Sequence, residues 1–259
     1  MAVIVLSIPL IITLLLSNRS IQNYVVDKAA SAASEFLGTE VSIGNIEYRM
    51  PASISLNDVY LADLEADTLA YVGSLSARLS ISALAQKRIS IHNVEIDRAK
   101  FYLKTDTTGL TNLQFIIDAL QDTTQTEAPA LTFDAPGVML KNCRIRVDNT
   151  SFAPHNNGLF DPMHIDLRDI NIFASLNYAA QDSVNIVLNE FSFREKSGLT
   201  VSQMGFRTVM GNNRIALEDF KLRLIESEVN IPVAEILLDS LSQVANPSLL
   251  ASKAKARFN

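Results

Sequence analysis

Tryptophan is absent from the 259 residues, cysteine occurs once and histidine three times. Each scarcity closes off a class of chemistry. Cys143 has no partner for an internal disulfide, so no disulfide framework holds this fold. That usage suits the cytosol, and equally an exported protein that does without disulfides. Cys143 stands at an apolar position of a β pattern and reads as a small buried hydrophobe. There is no Gly-rich phosphate loop, no paired-cysteine metal spacing, no His-Glu-x-x-His and no nucleophile elbow. His92 reads as pointing outward from a strand, and His155 lies in a loop. His164, near Asp161 and Asp166, is the best placed for metal or acid–base work, yet it sits at a strand entry where polar residues are ordinary. No run of five Lys or Arg occurs, and the balance is acidic, with a formal net charge of -6 and a pI near 5.1. This argues against nucleic acid. The sequence points away from a catalytic enzyme and implies no cofactor and no metal.

What is present is repetition. In Leu56-Asn57-Asp58-Val59-Tyr60-Leu61, apolar residues stand at 56, 59 and 61 and a short polar one at 58. The outline returns as IGNIEY at 43–48, IHNVEI at 91–96, LKNCRI at 140–145, LRDINI at 167–172, LNEFSF at 188–193 and LEDFKL at 217–222. The third position is always Asn45, Asp58, Asn93, Asn142, Asp169, Glu190 or Asp219. Strand side chains alternate with period two, so 59 and 61 share a face while 56 falls on the other. A bulge or tight bend at the polar position would return 56 to the face of 59 and 61. Asn and Asp suit such bends, because they bond to nearby backbone and tolerate left-handed conformations.

The chain divides as follows. Residues 1–19 hold an apolar run, AVIVLSIPLIITLLLS, about 24 Å long as a helix against a hydrocarbon core of about 30 Å. It reads as a membrane anchor whose true start lies upstream; a cleaved signal peptide and a buried helix are the alternatives. Residues 20–120 form a first β unit capped by a helix at 20–37. Ser20 is placed to start that helix and Gly38 to end it. Ile21, Val25, Ala29, Ala32 and Phe36 form its apolar stripe. The stripe would close the end of a sheet or lie on a membrane surface beside the anchor. Leu69 to Ile81 reads as two strands broken near Gly73, residues 83–88 as a helical turn, and 113–120 as a short helix capped by Asn112. Residues 121–130 are a polar linker. Strands resume over 131–231, among them Leu131–Phe133, Val138–Val147 and one at Arg214–Ile231. Residues 232–259, with Val233–Leu241 and Pro247–Lys253, read as a weakly helical tail of a chain that continues further.

A dozen strands and few helices leave an apolar face needing cover. Two sheets could face each other as a sandwich. Alternatively one long sheet could curl into an open groove, and next to a membrane anchor acyl chains would be its natural filling.

The order of elements resembles the AsmA-like TamB family in its Bacteroidota form. The resemblance covers about residues 1–120 and is carried by Leu37–Gly44, Leu56–Asp63, Asp67–Leu69, Ile89–Ile96, Gly109, Asn112 and Phe115. It departs from the family in a short anchor that lacks a basic flank. The resemblance implies a mainly β, antiparallel-rich sheet forming an open apolar groove behind a single N-terminal transmembrane helix in the inner membrane, with the bulk periplasmic. It implies a role in outer-membrane biogenesis: passage of phospholipid acyl chains between membranes, or assistance to outer-membrane protein insertion and secretion with a β-barrel assembly partner. The expected groove lining is Leu56, Val59, Leu61, Ile91, Val94, Ile96, Leu167, Ile170, Ile172, Phe191, Phe193, Phe220 and Leu222, with the seven polar positions above as strand bends. The other reading is an anchored periplasmic β-sandwich binding or adhesion module, with the same residues in a dry core.

Overall fold

The computed structural model describes residues 18–49, 52–80, 89–122, 131–155, 158–180, 183–211, 214–237 and 254–257. The expected anchor, the helical turn at 83–88 and most of the linker lie outside these residues. No described helix is long and apolar enough to cross a membrane.

The chain opens with α1, Arg19–Leu37. Asn18 rather than Ser20 starts it: the Asn18 side chain accepts the Ser20 N–H at 2.9 Å. Gly38 ends it with φ 68, and its N–H reaches the Ser34 carbonyl. The Ser34 hydroxyl then meets the backbone of Val41, which fixes how the chain turns into the sheet.

Eleven strands follow: β1 Val41–Arg49, β2 Ser53–Ala62, β3 Thr68–Leu79, β4 Ile89–Thr105, β5 Leu131–Asn149, β6 His164–Ala180, β7 Ser183–Glu195, β8 Thr200–Gly211, β9 Arg214–Leu224, β10 Glu228–Leu237 and β11 Ala254–Arg257. A second helix, α2 Gln114–Asp122, stands between β4 and β5. All eleven strands form one sheet in sequence order, with β1 and β11 as its edges. Neighbours are antiparallel except β4 and β5, which run parallel from Ile89↔Leu131 to Thr105↔Asn149. A parallel neighbour demands a return crossover, and α2 and the polar stretch after it lie within that crossover. The sheet therefore continues from β4 to β5 without a break. The facing sheets of a sandwich are not formed by the described strands.

Several elements differ from their sequence reading. Gly73 does not break β3, which is continuous from Thr68 to Leu79. Gly137 likewise lies inside one long β5, where a Cβ would come within 3.2 Å of the Asn93 amide oxygen. The run Arg214–Ile231 is two strands, separated by a turn in which the Leu224 N–H bonds to the Ser227 carbonyl. Val233–Leu237, read as helical, is the second half of β10. Val229, Ile231 and Val233 alternate along β10, and Pro232 falls opposite Asp219, between the pairs Ile231↔Phe220 and Val233↔Glu218, where no ladder pairing is made. Ala254–Arg257, also placed in the helical tail, is strand β11.

Packing is thin. Ten apolar residues are buried among those described, and six of them are Ala or Cys: Ala52, Ala62, Ala70, Ala99, Cys143 and Ala216. One cluster gathers Ala99, Cys143 and Ile170, with Ile96, Phe101, Leu140, Ile145, Leu167, Ile172, Phe191 and Phe193 packed against it. Burial also pushes the Cys143 thiol up from its ordinary pKa.

Candidate functional site

The register aligns apolar residues into rows across the strands. One row is unbroken over ten of them: Ile46↔Leu56↔Leu75↔Ile96↔Leu140↔Ile172↔Phe191↔Met204↔Leu222↔Val229. Cross-strand partners share a face, so these ten line one side of the sheet. All are half-buried except Val229, which is exposed. A second row joins Ala77, Val94, Val138, Ala174, Leu188 and Phe206. A third runs Ile43↔Val59↔Val72↔Ala99 and continues as Cys143↔Ile170.

All thirteen expected lining residues fall on this face. Leu56, Val94, Ile96, Ile172, Phe191 and Leu222 belong to the first two rows. Val59, Leu61, Ile91, Leu167, Phe193 and Phe220 are half-buried beside them, and Ile170 alone is fully buried, at 1% exposure. Ile46, Leu75, Leu140, Met204 and Val229 complete the longest row and were not among the expected lining residues, although Ile46 and Leu140 hold apolar positions of the repeat. The register that aligns them is a property of pairing, which one strand's letters do not carry.

Side chains three apart share this face because each of the first five strands slips by one residue along a common line. Asp58, Arg98 and Asn142 have φ of 54, 54 and 53 on β2, β4 and β5. On β1 and β3 the corresponding residues are Gly44 and Gly73. A Cβ on Gly44 would lie 2.9 Å from the Asp58 Cβ, and one on Gly73 would lie 3.0 Å from the Arg98 Cβ. Gly73 lies opposite Asp58 on one side and Arg98 on the other. The left-handed residue tips its Cβ toward the neighbouring strand, and glycine leaves the room. Asp169 and Asp219 repeat the geometry on β6 and β9, with φ of 50 and 54.

Asn45, Asn93 and Glu190 lack a positive φ. Asn93 and Glu190 sit at register shifts instead, and Asn45 accepts a hydrogen bond from the Asn57 amide at 2.7 Å. In β4 the left-handed residue is Arg98 rather than Asn93. The spacing Ile96-Asp97-Arg98-Ala99-Lys100-Phe101 carried the signal, but Arg lies outside the polar class of the other bends.

The opposite face is polar. Asn57, Ser55, Ser76, Glu95 and Asp97 line it near β1–β4, and Ser55 and Ser76 share a 2.7 Å hydrogen bond. Asp58 accepts from the Tyr71 hydroxyl, which raises the Tyr71 pKa, and Asp169 pairs with Arg194.

At one end of the strands, acidic side chains pin the turns. Asp63, 2% exposed, accepts the N–H groups of Glu65 and Asp67 and the Asn112 amide. Asn112 does not cap α2. It joins Asp63 to the Tyr102 carbonyl and the Lys104 N–H. Asp106 accepts the N–H groups of Thr108 and Leu110. The Asp161 carboxylate, fully buried, accepts the N–H groups of His155 and Met163 and meets His164 Nδ1 at 3.0 Å. Asp166 is gripped separately by Arg144 and Arg168. Burial opposes its ionisation, but the two guanidiniums outweigh that and hold it well below the usual carboxylate range. Asp161, His164 and Asp166 thus have structural partners, and no cluster suited to a metal ion occurs among the described residues. The His92 side chain lies outside the described residues.

An open single sheet with one continuous apolar face defines a β scaffold in which no second sheet faces that surface among the described residues. The model of the AsmA family matches residues 1–171, and the chain belongs to the AsmA family. Proteins of that family are generally membrane-associated, and the membership fits outer-membrane biogenesis and lipid transport in general terms. No curated protein matches the chain.

Proposed function

We propose that this chain is a TamB-type member of the family, of the Bacteroidota type, anchored in the inner membrane, and that its apolar face shields acyl chains for phospholipid movement between membranes. The observation that carries the reading is the ten-strand row from Ile46 to Val229. Monomeric proteins rarely expose large contiguous apolar surface without a partner for it. Each methylene withdrawn from water onto such a surface contributes about 0.8 kcal/mol. Successive strands present similar residues at the same height, so neighbouring positions along the row bind a chain about equally and translation costs little. The mechanism is sequestration, with no catalytic step. A β-barrel assembly partner in the outer membrane would receive the far end of the scaffold, and assistance to protein insertion and secretion would use the same face.

The test is mass spectrometry of lipids co-purified with the full chain in mild detergent, compared with Val94→Asp. Val94 is half-buried in the second row, so the variant can fold. Phospholipid bound to the parent and reduced several-fold in the variant is the expected result. No lipid on the parent, or equal lipid on both, overturns the proposal.

A further inference from the structure

The apolar side of α1 is wider than its contact with the sheet. At 3.6 residues per turn, the apolar residues of Arg19–Leu37 occupy about half the circumference. Val26 is buried, and Ala30, Ala33 and Leu37 are half-buried around it. This arc packs on β1. The adjoining arc is Ile21, Val25, Ala29, Ala32 and Phe36, the stripe legible in the sequence. Toward the C-terminal half of the helix it is open: Ala29 and Ala32 are exposed and Phe36 is 47% exposed, while Ile21 and Val25 are half-buried. Tyr24, 64% exposed, flanks it.

We infer that this second arc rests on the bilayer surface, making α1 an interfacial helix that holds β1 against the membrane. The inference rests on the membrane-anchored reading above. Two features select lipid as the occupant. The helix cap Asn18 follows directly on the apolar run at 2–17, so an anchored run delivers α1 to the interface. The arc is bordered by the charged Lys28 and Glu35 and, beyond them, by the amphipathic Tyr24, a composition suited to the headgroup level. The helix carries Arg19, Lys28, Asp27 and Glu35 and is electrically balanced. Contact is therefore apolar and needs no anionic lipid. Its consequence is that the apolar face begins at the membrane itself, within one helix diameter of the acyl chains it would take up.

The test uses the full chain in the Cys143→Ala background, reconstituted into zwitterionic phosphatidylcholine vesicles, with an environment-sensitive fluorophore on single cysteines. Ala29→Cys and Phe36→Cys report the uncovered arc, and Ser31→Cys the polar side. Blue-shifted emission at 29 and 36, quenched several-fold more by shallow spin-labelled lipid than at 31, is expected, unchanged by 0.5 M salt. Vesicle flotation reads anchoring separately. Protein that floats with all three probes in water leaves the anchor standing and overturns the interfacial helix. Shielding at 29 and 36 without lipid quenching also overturns it, by showing a protein cover. Protein that fails to float overturns both.

Discussion

Gly44 and Asp58 face each other across β1 and β2 so closely that a Cβ on the glycine would stand 2.9 Å from the Cβ of the aspartate. Gly44→Ala should therefore cost about 1–3 kcal/mol, the usual penalty of overpacking. Much of that cost should vanish in the double variant with Asp58→Gly, since the obstructing Cβ is gone and glycine is at ease at φ 54. Urea unfolding of the four proteins gives the coupling energy. Additive effects would show that the two backbones do not compete for this space.

A second prediction concerns Asn112. Its amide donates to the buried Asp63 and to the Tyr102 carbonyl at 3.1 Å each, while its oxygen takes the Lys104 N–H at 2.9 Å. Asn112→Ala leaves these groups without their partner and should cost about 1–3 kcal/mol. Asn112→Asp should cost more, because it adds a carboxylate beside the Asp63 carboxylate. Hydrogen exchange should speed up at Glu65 and Asp67, whose N–H groups end on Asp63. Equal effects of the two substitutions would remove Asp63 from the explanation.

Acid should destabilise the protein over a defined window. The backbone N–H of His155, helped by the N–H of Met163 and the His164 ring and opposed by burial, holds Asp161 at about 2 against an ordinary 3.8. Glu195, despite its burial, is lowered from 4.5 by the hydroxyl and N–H of Ser197 and the N–H of Asp166. A carboxylate lowered in the folded state stabilises above its unfolded pKa and loses that contribution as pH falls through the folded one. The urea midpoint should thus hold above about pH 5 and fall between about 4.5 and 2. Asp161→Asn should be less stable at neutral pH and flatter over this range. A midpoint that rises on acidification would contradict the assignment.

Much of the fold was written in local pattern, and the remainder was not, for identifiable reasons. Asp58, Asn142, Asp169 and Asp219 could be picked out because a left-handed residue needs a short polar side chain and leaves a three-residue step between apolar neighbours. Arg98 escaped because a long basic side chain lies outside the short polar class of the other bends, although the apolar spacing around it is the same. Gly73 resembled a strand break because its role is to make room for two residues of other strands. The turn at Ile225-Glu226-Ser227 carries neither Gly nor Pro. The long apolar row depends on ten registers at once. Side chains that would line a groove and those that would fill a sandwich have the same letters; only the absence of a facing sheet among the described strands separates the two.

That distinction gives the last prediction, from two residues on one strand. Ile170 and Ile172 are two apart on β6 and point the same way, yet Ile170 is 1% exposed beneath its neighbours while Ile172 is half-buried in the long row. Ile170→Asp places an unpaired charge among Ala99, Cys143 and the surrounding apolar side chains, and should cost more than about 4 kcal/mol. Ile172→Asp keeps its carboxylate within reach of water and should cost only about 1–2 kcal/mol by the loss of apolar contact. If the face carries acyl chains, Ile172→Asp should fold with a modestly lowered urea midpoint and bind several-fold less phospholipid, while Ile170→Asp fails to fold. If both variants unfold alike, the row is an ordinary core. If Ile172→Asp folds and retains its lipid, that lipid sits elsewhere.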